Sequence, residues 1–346
     1  MEINPPVLVS FSVTRQCNLR CRQCYSESVE TPHPDELSTG EAHKLIAEIS
    51  RSGARLLIFD GGEPLMRADL PDLITYAREI GLRPLLGTNA SLIDDAMAQK
   101  LKSAGLAAAA ISLDAADAAT HDEIRGQAGS FDQAIAGMQA LRRAGIPFQI
   151  GPCINAHTLG ELPKIAEWGK KLGAIAMEVF DYIPSGRAKQ STDLELDSEQ
   201  KHALVRQIID LQLNSDEMLY RCIGIPQYWV EVEKTVPEEE VMSRFVRTCC
   251  GAGVRYACVL YDGTVFPCMV LQKAVGNVRE TPFDVLWQDS EVFATLRNRD
   301  GLEGKCGACA YRTVCGGARC RVFETTGSLT AADDACWFKP EELTKR

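Results

Sequence analysis

No stretch of this chain is apolar for long enough to cross a membrane as a helix; the longest apolar runs, such as residues 106–113, have the length of a strand. Positive charge is also scarce. Lys and Arg number 37 against 47 Asp and Glu, a formal net charge of −10, whereas phosphate binding needs clustered basic residues in excess. A nucleic-acid partner is therefore not expected. The N-terminal segment has no basic region ahead of an apolar one, so no signal peptide is expected and a cytoplasmic location is. Low-complexity segments are absent, and aromatic residues are only 7%. At 346 residues the chain has room for one large barrel-type domain with a smaller appendage, or for two medium domains.

Cysteine breaks this ordinary composition, with fourteen residues. A cytosol keeps thiols reduced, so a disulfide framework explains them poorly in a chain of this length. Their placement is uneven. Three lie within eight residues near the start, nine lie between Cys249 and Cys336, and only Cys153 and Cys222 stand apart. Such clustering points to metal, and the two isolated thiols are expected to pack as small hydrophobes.

The first half reads as repeated strand–helix units. Apolar, β-branched runs suit buried parallel strands at 7–13, 55–59, 83–87, 107–113, 148–154 and 174–182. Ser38-x-x-Glu41 and Thr158-x-x-Glu161 have the form of capping boxes ahead of amphipathic stretches, and further helices are expected at 69–80, 94–104 and 131–144. Gly53, Gly81, Gly105, Gly145 and Gly173 sit where a left-handed cap would end each helix. Six strands alternating with helices imply a parallel sheet with right-handed crossovers. The expected fold is α/β, a partial (β/α) barrel of about six parallel strands, with a doubly wound sheet as the competing architecture. After 182 the pattern changes: a connector, a helix at 198–214, a helical bridge at 226–247, then a cysteine- and glycine-rich region of short elements. Metal there would contribute to folding.

Cys17-Asn-Leu-Arg-Cys21-Arg-Gln-Cys24 follows the first strand directly, at the carboxyl end where βα enzymes build their sites. One loop with these spacings can wrap three thiolates around a small cluster. Three ligands to four irons leave one iron open to substrate, as an open position does on catalytic zinc. Cysteine-held clusters reach potentials near about −700 mV at the extreme. A partial zinc site and three incidental cysteines are the alternatives.

CxxxCxxC after a first strand resembles the signature of the radical S-adenosylmethionine (SAM) superfamily, and Asp60-Gly61-Gly62-Glu63-Pro64 resembles that family's GGEP segment. The resemblance implies that Cys17, Cys21 and Cys24 are the catalytic metal ligands of a SAM-binding 4Fe-4S cluster. Glycines at 61 and 62 would let backbone approach SAM, and the Glu63 carboxylate would receive its amino group. By the same resemblance Asn89, Ser112 and Asp114 lie beside SAM, Arg125 meets its carboxylate, and Asn155 and Tyr182 stand towards adenine. One departure is Gln23, where the family commonly has an aromatic residue; Tyr25 is the candidate to replace it.

The C-terminal cysteines resemble a SPASM domain, which carries two auxiliary 4Fe-4S clusters. The resemblance assigns Cys250, Cys258, Cys268 and Cys320 to one cluster and Cys306, Cys309, Cys315 and Cys336 to the other. Cys249 competes with Cys250, and Gly316-Gly317-Ala318-Arg319 places Cys320 later than the family usually has it. A zinc ribbon is the alternative for the second group. The domains expected are 1–185 for the barrel, 186–247 for a helical bridge and 248–340 for the SPASM region.

What the family implies is reductive cleavage of SAM to a 5′-deoxyadenosyl radical, hydrogen abstraction from a substrate, and a low-potential electron donor such as ferredoxin or flavodoxin. Segments around Arg187, Arg279 and Cys315 resemble the haem-biosynthetic branch, which includes enzymes that decarboxylate two propionates of iron-coproporphyrin III, enzymes that alter siroheme side chains and those of denitrification haem synthesis. Arg187 and Arg279 are then candidates to pair with propionates, with structural ion pairs as the alternative. A maturase acting on a ribosomal peptide, or on another protein's active site or cofactor, is the second substrate reading.

Overall fold

Each crossover helix carries an apolar stripe that must be buried, and each strand between them is apolar on alternate positions, so the two pack into layers. In the computed structural model, which describes residues 3–246 and 249–343, the strands are β1 (Leu8–Thr14), β2 (Leu56–Gly61), β3 (Arg83–Thr88), β4 (Ala108–Ile111), β5 (Phe148–Ile150), β6 (Cys153–Ile154), β7 (Ala176–Asp181), β8 (Leu219–Ile223), β9 (Tyr256–Val259), β10 (Thr264–Phe266) and β11 (Gly276–Asn277). The crossover helices are α1 (Thr39–Arg51), α2 (Leu70–Glu79), α3 (Asp95–Ala104), α4 (Ala118–Arg125), α5 (Ser130–Ala144) and α6 (Leu162–Leu172). They are followed by α7 (Ser198–Leu213), α8 (Gln227–Thr235), α9 (Glu238–Arg244), α10 (Phe283–Asp289), α11 (Glu291–Arg297), α12 (Gly304–Ala308) and α13 (Arg319–Thr326).

Strands β1, β2, β3, β4, β5 and β7 neighbour one another in chain order and run parallel. A doubly wound sheet reverses its order midway; this one does not, and a partial barrel results. Val9, Phe11, Leu57, Phe59, Leu86, Ala109, Phe148, Ile150, Met177 and Val179 are buried in the main core with the helices. The opposite, inner face carries Ile58, Asp60, Gly87, Ala110, Gln149, Glu178 and Arg221, all half-buried. Among the described residues no helix is long and apolar enough to cross a membrane.

The structure departs from the expected elements in four places. The fifth strand is split into β5 and β6 by Gly151-Pro152, since proline has no N–H to give the ladder. Thr158 does not cap α6, because its hydroxyl accepts the Asn155 N–H at 3.0 Å, and a 3-10 turn intervenes. The bridge contains α7, α8 and α9 but also β8, which extends the sheet beside β7; its expected end at Arg247 lies outside the described residues. The C-terminal region is joined to the barrel, with β9 lying parallel against β1 and pairing Ser10 with Cys258. The glycine caps follow expectation: Gly53, Gly81, Gly105, Gly145 and Gly173 all have positive φ.

Candidate functional site

The cysteine loop leaves β1 at Thr14 and is closed at its neck by paired backbone bonds, Cys17 N–H to Val29 O at 2.8 Å and Val29 N–H to Arg15 O at 3.1 Å. Carbonyls in the last turn of α4, left free as at any helix end, accept from it: Arg125 O from Arg20 N–H and Ile124 O from Arg22 N–H. Gly126 follows in the left-handed region, where a Cβ would stand 2.7 Å from Arg20 O. Arg187 braces the other side, donating to Cys21 O at 3.0 Å and Ser28 O at 2.5 Å.

Each sulfur of the triad meets a polar group. Leu19 N–H points to Cys17 Sγ at 3.4 Å, Arg125 Nη1 to Cys21 Sγ at 3.8 Å, and the Ser26 and Ser28 hydroxyls stand 3.4 Å from Cys24 Sγ. Burial pushes the Cys17 thiol up to about 11 and also raises Cys21. At Cys24 burial acts the same way, but hydrogen bonds with Ser26 and Ser28 outweigh it and leave the thiol below its ordinary value.

The glycines after Asp60 serve the backbone directly. A Cβ on Gly61 would lie 2.4 Å from Thr14 O, and one on Gly62 would lie 2.1 Å from Gln16 O. They let β2 run on against the entry to the cysteine loop, fixed by Gly62 N–H to Thr14 O and Glu63 N–H to Gln16 O. Pro64 opens the 3-10 turn that follows. Glu63 is fully buried and faces the end of β3. Its Oε1 accepts from Thr88 Oγ1 at 2.8 Å and Leu65 N–H at 3.1 Å, and its Oε2 from Asn89 N–H at 2.9 Å. Burial pushes this carboxyl up to about 7 despite the three donors. A carboxylate has about four acceptor positions, so one on Oε2 remains. The Asn89 side chain reaches back to Asn18 inside the cysteine loop at 2.9 Å.

From the next strands, Asp114 is fully buried, forms an ion pair with Arg125 at 2.5 Å, and accepts Cys153 N–H at 2.9 Å. His121 turns Nδ1 towards Asp114 N–H at 3.3 Å; burial, aided by Arg125, pushes its pKa down to about 4, so it stays neutral. Arg125 thus joins Asp114 to Cys21, and its Nε is buried without a partner. Ser112 lies half-buried at the end of β4. Asn155 is buried, its Oδ1 taken by His157 and Thr158 N–H groups, while its Nδ2 has no partner. Tyr182 is buried just past β7, and its hydroxyl donates into the connector, 2.7 Å from Ala188 O and 3.0 Å from Ser191 O. Tyr25 lies between the triad and the upstream C-terminal cysteines, near enough to Asp60, Cys24, Cys258 and Cys268 for their charges to add to the burial that raises its pKa.

Cys250, Cys268 and Cys320 meet in one apolar cluster with Ile183, Leu271 and Leu296, and Cys258 on β9 stands beside Cys268. Cys320 reaches them because α13 begins at Arg319 and puts it in the first turn. Cys306, Cys309, Cys315 and Cys336 line a single small pocket with Gln227, Lys305 and Gly317. Arg319, fully buried, donates to Leu329 O, Ala331 O and, at 3.8 Å, Cys306 Sγ.

The Radical SAM superfamily model matches residues 11–169, and an iron–sulfur cluster-binding domain model (SPASM) matches residues 249–310. The chain is 35% identical to the AdoMet-dependent heme synthase of Nitratidesulfovibrio vulgaris, over 97% of this chain and 94% of that protein. It is 34% identical to the protein of the same name from Methanosarcina barkeri, over 97% and 98%. Identity is 26% with the PqqA peptide cyclase of Granulibacter bethesdensis, over 98% and 89%. In fold it is similar to Streptococcus suis SuiB bound to S-adenosylmethionine, with a TM-score of 0.75 at 16% identity, covering 96% of this chain and 77% of that one.

The chain belongs to the radical SAM superfamily.

As a radical SAM enzyme it has iron–sulfur clusters and SAM as cofactors, and its residues suit both. Buried thiols, held mostly as neutral S–H in the free protein, must release protons on ligation, and sulfurs met by N–H and O–H donors are the usual setting of a cysteine-held cluster. The match to an iron–sulfur cluster-binding domain over residues 249–310 favours a cluster over a zinc ribbon.

Two expected substrate contacts are corrected by the geometry. Arg187 is spent on carbonyls of the cysteine loop, as above. Arg279 is held by Glu41 at 2.7 Å and by the carbonyls of Asp35 and Asp262. Both guanidiniums thus have partners within the protein, as the alternative of structural pairing expected. Ser26, Ser28, His121 and Arg319 escape sequence reasoning, because common residue types acquire these roles only through folding.

Proposed function

We propose that this radical SAM enzyme oxidatively decarboxylates propionate side chains of an iron-bound tetrapyrrole, the reaction class that completes haem. The observation that carries this reading is near-full-length identity of 34–35% with two AdoMet-dependent heme synthases, against 26% for the peptide cyclase. The inner face of the barrel is consistent with a broad substrate, since Gly87, Ala108, Ala110 and Gly151 keep that wall low.

In this reading Cys17, Cys21 and Cys24 hold the first 4Fe-4S cluster. Cys250, Cys258, Cys268 and Cys320 hold a second, with Cys250 favoured over Cys249 by its place beside Cys268 and Cys320, and Cys306, Cys309, Cys315 and Cys336 hold a third. When bound, the first cluster supplies the low-potential electron that opens SAM, delivered by a small donor such as a ferredoxin or flavodoxin. The chain's own part is positional. Glu63 offers its remaining acceptor to the SAM amino group, and the unpaired Arg125 Nε serves the SAM carboxylate. Asn89 and Ser112 border the same pocket, and Asn155 Nδ2 is a donor for the adenosyl moiety. Asp114 acts through Arg125 and fixes its orientation, while Tyr182 holds the connector that closes the far side.

Anaerobic addition of iron-coproporphyrin III to reduced, reconstituted enzyme with SAM tests this. A rise in 5′-deoxyadenosine that depends on the porphyrin, with porphyrin turnover, is expected. Turnover of a ribosomal peptide, with every tetrapyrrole offered left unbound, would replace the reading by the maturase one.

A further inference from the structure

Strand alternation should bury the aromatic residues of β7 or cover them with a neighbour, yet Phe180 is 38% exposed on the inner face. Gly151 lies against its ring, where a Cβ would be 3.3 Å away. Two residues earlier on the same face, Glu178 pairs in register with Arg221 of β8. Arg221 Nη2 stands 2.9 Å from Glu178 Oε1 and 2.8 Å from Gln149 Oε1, and Gln149 Nε2 donates to Glu178 Oε2 at 2.8 Å. One nitrogen of the guanidinium is therefore fixed by two side chains that brace each other. Arg221 Nε is buried without a partner. An unpaired buried donor on an always-charged group is costly, and the Arg221 side chain keeps 26% of its surface exposed, so a carboxylate can reach the guanidinium.

The position also connects to the SAM pocket proposed above. Phe180 pairs across the sheet with Cys153, whose N–H is held by Asp114, the partner of Arg125 beside Cys21. Phe180 and Arg221 are one strand and two residues apart, about 8 Å from strand spacing and rise. We propose that this wall is a substrate-anchoring subsite, in which Phe180 packs on the face of a flat aromatic macrocycle and Arg221 binds one of its peripheral carboxylates. It rests on the tetrapyrrole reading and adds a guanidinium on the inner face of the barrel that is held through Nη2 and has no partner at Nε. The anchored carboxylate is held as a handle and undergoes no bond change there.

The test is an equilibrium titration of iron-coproporphyrin III, and separately of its tetramethyl ester, into the full-length reconstituted enzyme without reductant, followed by the porphyrin absorbance. Arg221→Gln is expected to weaken the acid at least about tenfold, the value of one charge-assisted contact, and to leave the ester unchanged. Arg221→Lys should recover part of the loss, Glu178→Gln should tighten the acid by removing a competing charge, and Phe180→Leu should weaken both compounds. Cluster absorbance and the thermal midpoint of each variant identify a misfolded one, and Arg221→Lys with Glu178→Gln then carries the test. Wild-type affinity of a folded Arg221→Gln for the acid would overturn the subsite, as would equal losses for acid and ester. Failure of the wild-type enzyme to bind either compound would overturn the tetrapyrrole reading itself, and the subsite with it.

Discussion

Glu63 shows how burial and hydrogen bonding compete at one residue. Its carboxyl, with three donors facing it, is still pushed up to about 7 from an ordinary value of 4.5 by burial. Between those values the folded chain holds a proton that the unfolded chain has released. The protonated group's stabilising share is complete below about pH 4.5 and is lost as pH rises through about 7. Glu63→Gln abolishes that slope, while the amide adds a constant penalty by facing backbone N–H groups. Denaturant unfolding of the cluster-free protein should show the variant gaining on wild type by about 3 kcal/mol across this window; parallel pH profiles would show that Glu63 titrates as in an open chain. The triad and Gly61-Gly62-Glu63 were legible because their chemistry is local, carried by spacing within one loop. Arg187 and Arg279 were not, because all partners of their guanidiniums but the Asp262 carbonyl lie 159 or more residues away in the chain. An arginine cannot announce in sequence whether it will meet a ligand or a carbonyl.

At the scale of elements, glycine decides how the second strand meets the cysteine loop. Gly62 sits where any side chain would collide with the Gln16 backbone, which cannot swing aside as a flexible side chain would. Gly62→Ala should leave the barrel folded, since its core lies on the opposite face of the sheet, but displace the loop holding Cys17. Iron per chain should fall by about one cluster's share with the far-ultraviolet dichroism unchanged, and full iron content would refute the steric reading. The crossover units were readable from apolar period and glycine caps. Harder to see were α4, a short helix of eight residues beginning at Ala118-Ala119, and β8, five residues whose strand character comes from pairing with β7. Both matter to the site, since α4 carries Arg125 and β8 carries Arg221.

Across the whole molecule, the C-terminal cysteines are built onto the barrel. The sheet continues from β1 into β9, a parallel pairing between segments 248 residues apart that no local pattern encodes. Arg321 ties the two regions from within: it pairs with Asp181 at the end of β7 and with Asp333 at 3.2 Å, and donates to Gly224 O. Removing one member of such a buried group strands the others, at a cost of about 3–5 kcal/mol. Arg321→Met should lower unfolding stability by about that much and loosen Cys320, the preceding residue in α13; a loss below about 1 kcal/mol would mean that the two regions are held by the sheet alone. The cysteine pattern predicted a metal-rich extension. It did not predict that the extension would share the barrel's sheet.

The most direct test of the proposed reaction follows porphyrin mass and 5′-deoxyadenosine together during anaerobic turnover of iron-coproporphyrin III with SAM and reductant. Loss of CO2 with two hydrogens in each of two successive steps, one deoxyadenosine rising per step, is the expected result. Deoxyadenosine accumulating while the porphyrin mass stays constant would contradict tetrapyrrole decarboxylation and leave a radical SAM enzyme with a different substrate.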